Sequence, residues 1–112
     1  MTQPKDDELI WIGIDLDNCL ANNSGYPNYQ LTIPTVGAVE AMWELQNRGL
    51  KFVLYTARSW ADYRTIEEWL DNWGFPKPRL IICGKMLLKW MVDDKAIAFS
   101  GDWKEVLNKI GG

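Results

Sequence analysis

The chain has 112 residues, of which 47% are hydrophobic and 24% charged, with a net charge of −3. That supports one modest core in a single domain spanning residues 1–112, without the extreme polarity of a disordered chain. Histidine is absent, which excludes Ser-His-Asp and Cys-His nucleophile pairs, His-ligated zinc and imidazole bases.

Two cysteines, Cys19 and Cys83, are too few for a four-cysteine zinc site and read as buried thiols. Lys5 is the only base before Arg48, whereas bases outnumber acids after it. The chain is therefore not a basic nucleic-acid domain, although a local phosphate-binding face in its second half stays open. No apolar run approaches the roughly 18 residues that cross a bilayer, and residues 1–8 are polar and acidic, so the reading is a soluble, untargeted, cytoplasmic protein.

Short apolar runs alternate with stretches of helical period, the pattern of β-α-β units around a parallel sheet. Residues 9–14 read as a first, fully buried strand, 52–55, 80–82 and 90–92 as three more, and 96–99 as a weaker fifth. Between the first two, Pro34 and Gly49 bracket an amphipathic helix that turns Val36, Val39, Met42 and Trp43 to the sheet. After the second strand, Ser59 and Asp62 form a capping-box pattern. Tyr63, Ile66, Leu70 and Trp73 then follow at helical spacing until Gly74 and Pro76. A third helix is predicted over 103–110. Residues 18–33 are rich in Asn, Gly and Pro, punctuated by Tyr26 and Tyr29, and read as an irregular flap of the kind that often serves as a lid. The fold expected is α/β: one Rossmann-like three-layer domain, a parallel β-sheet flanked by helices, with no cap domain.

Each apolar run ends in residues that handle phosphate or metal. Asp15 and Asp17 follow Ile14, Thr56 and Arg58 follow Tyr55, Lys85 follows Ile82, and Asp93 and Asp94 follow Val92. Ligands of open α/β sheets bind outside the carboxyl ends of the strands, so these groups are expected to converge. Four carboxylates in one crevice repel unless a cation neutralises them, and an all-oxygen set favours Mg²⁺. Its candidate ligands are the side chains of Asp15, Asp93 and Asp94 and the backbone carbonyl of Asp17. Asp15 is the candidate nucleophile toward phosphorus. Asp17, two residues on and on the same side of an extended strand, is the candidate acid and base, with Leu16 between them pointing into the core. Thr56 supplies a hydroxyl to phosphoryl oxygens and Lys85 a positive charge near the nucleophile. Arg58 either clamps a substrate phosphate or sits outside as a surface charge; Asn18 and Trp60 complete the candidate substrate contacts.

Together these segments, D15-L-D-N-C-L, L-Y-T56-A-R, G84-K85 and V-D93-D94-K-A, resemble the haloacid dehalogenase superfamily of phosphotransferases over about residues 9–99. The resemblance implies Mg²⁺ dependence and an aspartyl-phosphate intermediate. It gives Asp15 as nucleophile, Asp17 as acid/base, Thr56 as phosphate-binding hydroxyl, Lys85 as charge-stabilising lysine and Asp93-Asp94 as the acidic metal pair. Cys19 stands where that family more often has Thr or Val, and Lys89 competes with Lys85 for the lysine role. The positions where relatives carry caps hold little more than the flap, which resembles the capless members.

The activity expected is therefore hydrolysis of a phosphomonoester, at an open site suited to a large or extended substrate such as a nucleic-acid end, a phosphoprotein or a glycan precursor. An oligomer that covers the site remains open. The alternative is a non-catalytic metal- or partner-binding accessory protein on the same fold. Bland readings also stand: Trp11, Trp43, Trp69, Trp73 and Trp90 as packing residues, and Asp6, Asp7 and Glu8 as a solvated acidic edge.

Overall fold

In chain order the elements are β1 (Trp11–Ile14), β2 (Ala21–Asn22), β3 (Ile33–Pro34), α1 (Ala38–Asn47), β4 (Lys51–Tyr55), a 3-10 turn (Trp60–Asp62), α2 (Tyr63–Asn72), β5 (Leu80–Ile82) and α3 (Trp103–Ile110). The computed structural model describes residues 10–22, 30–86 and 88–111. Strands β1, β4 and β5 form a parallel sheet in the order β1-β4-β5, each reached from the last through a helix. The result is a Rossmann-like α/β domain, a parallel sheet flanked by helices.

The register explains which side chains make the core. Ile12 lies opposite Phe52, Ile14 opposite Leu54, and Leu54 opposite Ile81. Period-two alternation turns Ile14, Phe52, Leu54 and Ile81 to the buried side, where Ala38, Ala41, Met42 and Leu45 of α1 and Ile66, Trp69 and Leu70 of α2 join them. Covering a side chain such as Leu54 contributes about 1.5–3 kcal/mol. The alternate positions stay open: Trp11 is 52% exposed, and Tyr55, Leu80 and Ile82 are exposed too. The strands expected to be buried on both sides thus alternate instead.

Helix α1 starts at Ala38, after a left-handed Gly37, so Val36 lies outside it and is exposed; Val39 is half-buried and Trp43 exposed. Its predicted C-terminal end holds: Gly49 adopts φ +88 and the Leu50 N–H donates to the Leu45 carbonyl at 3.1 Å, a left-handed stop that glycine permits. Ser59 Oγ accepts from the Ala61 N–H at 3.1 Å at the head of the 3-10 turn before α2. Trp69 is buried and stacks on Phe75, ring centroids 5.3 Å apart. Trp73 is exposed, and Trp43 donates its indole N–H to the Gly74 carbonyl at 2.7 Å. Helix α3 packs on α1, with Trp103 buried and its indole N–H donated to Thr35 Oγ1 at 3.0 Å.

Two predicted strands do not form. Residues 90–92 and 96–99 run irregularly, with Trp90 80% exposed and Val92 fully exposed. Asp93 Oδ1 accepts the Lys95 N–H at 2.7 Å, a local Asx turn that competes with a strand ladder. The flap of residues 18–33 is tied at its base, where β2 and β3 pair antiparallel. Its tip, with Tyr26 and Tyr29, lies outside the described residues, as does the acidic run of residues 6–8. No helix among the described residues is long and apolar enough to cross a membrane.

Candidate active site

The carboxyl ends of β1, β4 and β5 open onto one cavity of about 630 Å³. From the β1 end it is lined by Asp15, Asp17 and Asn18; from the β4 end by Ala57, Arg58, Ser59 and Asp62; from the β5 end by Lys85 and the segment beyond it. Parallel strands set this geometry, since their side chains leave the sheet at one edge however far apart they are in sequence.

Asp15 follows the end of β1, half-buried, its Oδ1 accepting the Leu16 N–H at 2.8 Å, while Leu16 itself is fully buried, so the alternation expected of the D-x-D segment holds. Asn18 then takes φ +59, a left-handed conformation that asparagine tolerates better than most residues. It bends the chain away from the strand direction and leaves Asp17 beside Asp15. Burial pushes the Asp15 carboxyl above its ordinary range, and the neighbouring Asp17 charge adds to this. The Leu16 N–H and the Lys85 ammonium pull in the opposite direction.

Beyond β4 and β5 two loops are bonded together. Thr56 donates its N–H to the Ile82 carbonyl at 2.9 Å, the Lys85 N–H donates to the Thr56 carbonyl at 2.9 Å, and the Gly84 N–H donates to the Arg58 carbonyl at 2.8 Å. Gly84 makes this turn at φ +81, and Trp60 lies against it. The turn delivers Lys85 Nζ to 3.9 Å from Asp15 Oδ1, with the same ammonium 5.2 Å from the centre of the Tyr55 ring. Between the two lysine candidates the geometry selects Lys85 as the partner of Asp15. Lys89 also lines the cavity, but among the described residues it makes no ion pair.

Arg58, for which a phosphate clamp and an outer surface charge were both open, lines the cavity with its side chain largely covered. Its guanidinium forks onto Asp17, Nη2 to Oδ1 at 2.7 Å and Nε to Oδ2 at 3.0 Å, with the arginine side chain only 11% exposed and the aspartate 26%. The fork fixes the carboxylate plane. Thr56 is the only buried polar residue among those described. Its hydroxyl oxygen accepts the Arg58 N–H at 3.1 Å, which aims Arg58; Thr56 itself does not line the cavity.

The remaining predicted site residues are placed otherwise. Trp60 is exposed and stacks on Tyr63, centroids 6.1 Å apart, at the rim rather than in the cavity wall. Asp93 and Asp94 are exposed on the irregular segment and do not line the cavity. Among the described residues no group of three or more His, Cys, Asp or Glu side chains is placed to hold a metal ion. Because 90–92 is not a strand, nothing carries this pair to the sheet edge; the expected convergence holds for three of the four runs.

Cys19 is half-buried rather than buried, and Cys83 is buried; both are free thiols. Burial, reinforced by the Asp15 charge, pushes the Cys19 thiol up to about 12, which makes it a poor nucleophile.

Sequence reasoning did not single out Ser59, Asp62 or the apolar side chains Met86, Leu88, Trp90 and Met91 as parts of the site, yet all line the cavity. Their one legible signal was position, just after the strand ends.

No family model matches the chain, and none of the curated proteins does. Among solved structures, a crystal structure of a target protein from Vibrio cholerae is similar in fold. Its TM-score is 0.66 at 22% identity, over 91% of this chain and 99% of that one.

Proposed function

We propose that the chain is a phosphomonoester hydrolase in which Asp15 takes the phosphoryl group. The observation that carries this reading is the meeting of Asp15, Asp17 and Lys85 at one cavity, from strands that approach it side by side. With phosphate ester bound, the Lys85 ammonium beside Asp15 offsets charge on the phosphoryl oxygens and on the attacking carboxylate. One Asp15 oxygen forms the bond to phosphorus as the bond to the ester oxygen breaks, leaving an acyl phosphate on Asp15. Asp17 passes a proton to the departing oxygen, then takes one from the water that attacks phosphorus and restores Asp15. Arg58 is a positioning residue that holds Asp17 in the plane this transfer needs, and it must release one carboxylate oxygen for the acid half of the cycle.

The donor chemistry fits Mg²⁺, which takes one or two protein carboxylates and completes its shell with water and substrate phosphate. Asp15 and Asp17 offer oxygen alone, and both face the cavity. When bound, Mg²⁺ would supply positive charge that neutralises carboxylate and phosphoryl oxygens. Asp93 and Asp94 stay in this proposal only as residues of a segment that would have to approach the cavity.

A second reading, an accessory protein that binds a metal or partner without turnover, is favoured by the Arg58 fork on Asp17 and by the exposed Asp93-Asp94 pair. A panel of phosphomonoesters, including 5′- and 3′-phosphorylated oligonucleotides, phosphopeptides and sugar phosphates, assayed with Mg²⁺ separates the two. The hydrolase reading expects release of inorganic phosphate that Asp15→Asn abolishes. No release from any ester would leave the accessory reading.

A further inference from the structure

The cavity has two unlike walls. One carries Asp15, Asp17 and Lys85 with the polar Asn18, Ser59 and Asp62; the other, just beyond Lys85, carries Met86, Leu88, Trp90 and Met91. Its volume of about 630 Å³ lies in the range that holds a whole small ligand, well beyond what a phosphoryl group alone requires. On the second wall the polar groups among the described residues are the Lys89 ammonium and the Trp90 indole N–H, both donors only. Hydroxyl-rich groups such as sugars would find almost no partner there, and burying their polar atoms unpaired is unfavourable.

All four apolar side chains are exposed, Trp90 at 80% and Met86 at 74%. Contiguous apolar surface open to water marks an interaction site. Methionine side chains adapt to varied apolar shapes, and tryptophan offers a flat face for a ring.

We infer that this wall receives the organic part of the substrate, and that this part is a flat apolar or aromatic body joined to the phosphate by a short link. This deepens the hydrolase reading and rests on it. The apolar wall sits directly beside the residues assigned to phosphorus, so one molecule spans both with its charged end at Lys85 and its ring against Trp90 and Met91.

The test compares 1-naphthylmethyl phosphate with ethyl phosphate. Both leave as alkoxides of similar basicity, so any difference reports recognition and not leaving-group reactivity. Each ~55 Å² of ring surface covered corresponds to about tenfold in affinity. The wild-type protein with Mg²⁺ should therefore show kcat/KM at least tenfold higher for the naphthyl ester. The doubly substituted Trp90→Ala, Met91→Ala protein should bring that ratio to within threefold of one, chiefly through KM for the naphthyl ester. These positions are exposed, so the fold tolerates the changes.

Equal kcat/KM for the two esters, or a ratio untouched by the double substitution, would overturn the inference while leaving the hydrolase reading standing. If neither ester is hydrolysed, the wider ester panel decides the hydrolase reading, and titration with 1-naphthylmethylphosphonate and ethylphosphonate decides the inference by binding. A tenfold preference for the naphthyl compound that the double substitution removes supports it; equal binding overturns it. A dimer in wild-type protein that the double substitution dissociates, without any ester preference, would assign the wall to a second copy of the chain and also overturn it.

Discussion

Replacing Arg58 with alanine removes a forked ion pair that is largely shielded from water. The guanidinium reaches Asp17 at 2.7 and 3.0 Å, with 11% and 26% of the two side chains exposed. An exposed pair of this kind contributes a few tenths of a kcal/mol, whereas removing the guanidinium from a shielded carboxylate costs several times more. Arg58→Ala should therefore destabilise the fold by about 2 kcal/mol, which for a chain of this size lowers Tm by roughly 8 °C. Arg58→Lys keeps the charge but not the fork, and should recover about half of the loss.

Asp17→Asn removes the same interaction from the other side, so the double variant should lose less than the sum of the singles. The expected coupling is about 1–2 kcal/mol. Urea unfolding of the four proteins measures it, and coupling below about 0.3 kcal/mol would refute the assignment of Arg58 as the holder of Asp17. In the same series kcat should fall for Arg58→Ala and recover in part for Arg58→Lys, because a misaimed carboxylate transfers protons poorly.

Burial raises the folded-state carboxyl of Asp15 above its ordinary value of 3.8. The folded protein then binds the proton more tightly than the unfolded chain, and the stabilisation this gives is present below pH 3.8 and lost as pH rises through the folded value. Asp15→Asn, inactive, should thus gain in Tm relative to wild type as pH is raised from about 4, and the gain should level off above the folded value; a difference independent of pH would contradict it. Mg²⁺ should raise the wild-type Tm by preferential binding to the folded state and raise that of Asp15→Asn less, as differential scanning fluorimetry would record. Thr56→Val should cost about 1 kcal/mol by leaving the partly buried Arg58 N–H without the Thr56 acceptor, visible as a lower urea midpoint. Cys19, its thiol pushed up to about 12, should resist iodoacetamide at pH 8 in the folded protein and react once the chain is unfolded.

Much of the fold was legible because its signals are local. Gly49 stops α1 where a left-handed residue was expected, and Ser59 caps the turn that leads into α2. The three sheet strands are apolar runs, and β1 and β4 are each joined to the next through a helix of clear period. Residues 90–92 carry the same kind of run, but Lys89 precedes it and the Asp93 turn follows it, and composition cannot say whether a short apolar run finds a neighbouring strand. The same limit misplaced Trp11 and Trp90, which periodicity treats as core and the structure leaves exposed. At the site, strand ends foretold that Asp15, Asp17, Arg58 and Lys85 would line one cavity, whereas Thr56 stays buried beneath Arg58. The fork of Arg58 on Asp17 was not foretold, because it depends on the side-by-side placement of β1 and β4 and on the turn at Asn18, neither of which is written in the spacing of the two residues.

The most direct test of the account is chemical capture of the phosphoryl group during turnover. Wild-type protein mixed with a hydrolysed ester, quenched in acid within one turnover and reduced with borohydride, should carry the reduction product of an acyl phosphate at position 15, as read by peptide mass spectrometry. Turnover with no modification at Asp15, or with the modification on another carboxylate, would contradict it.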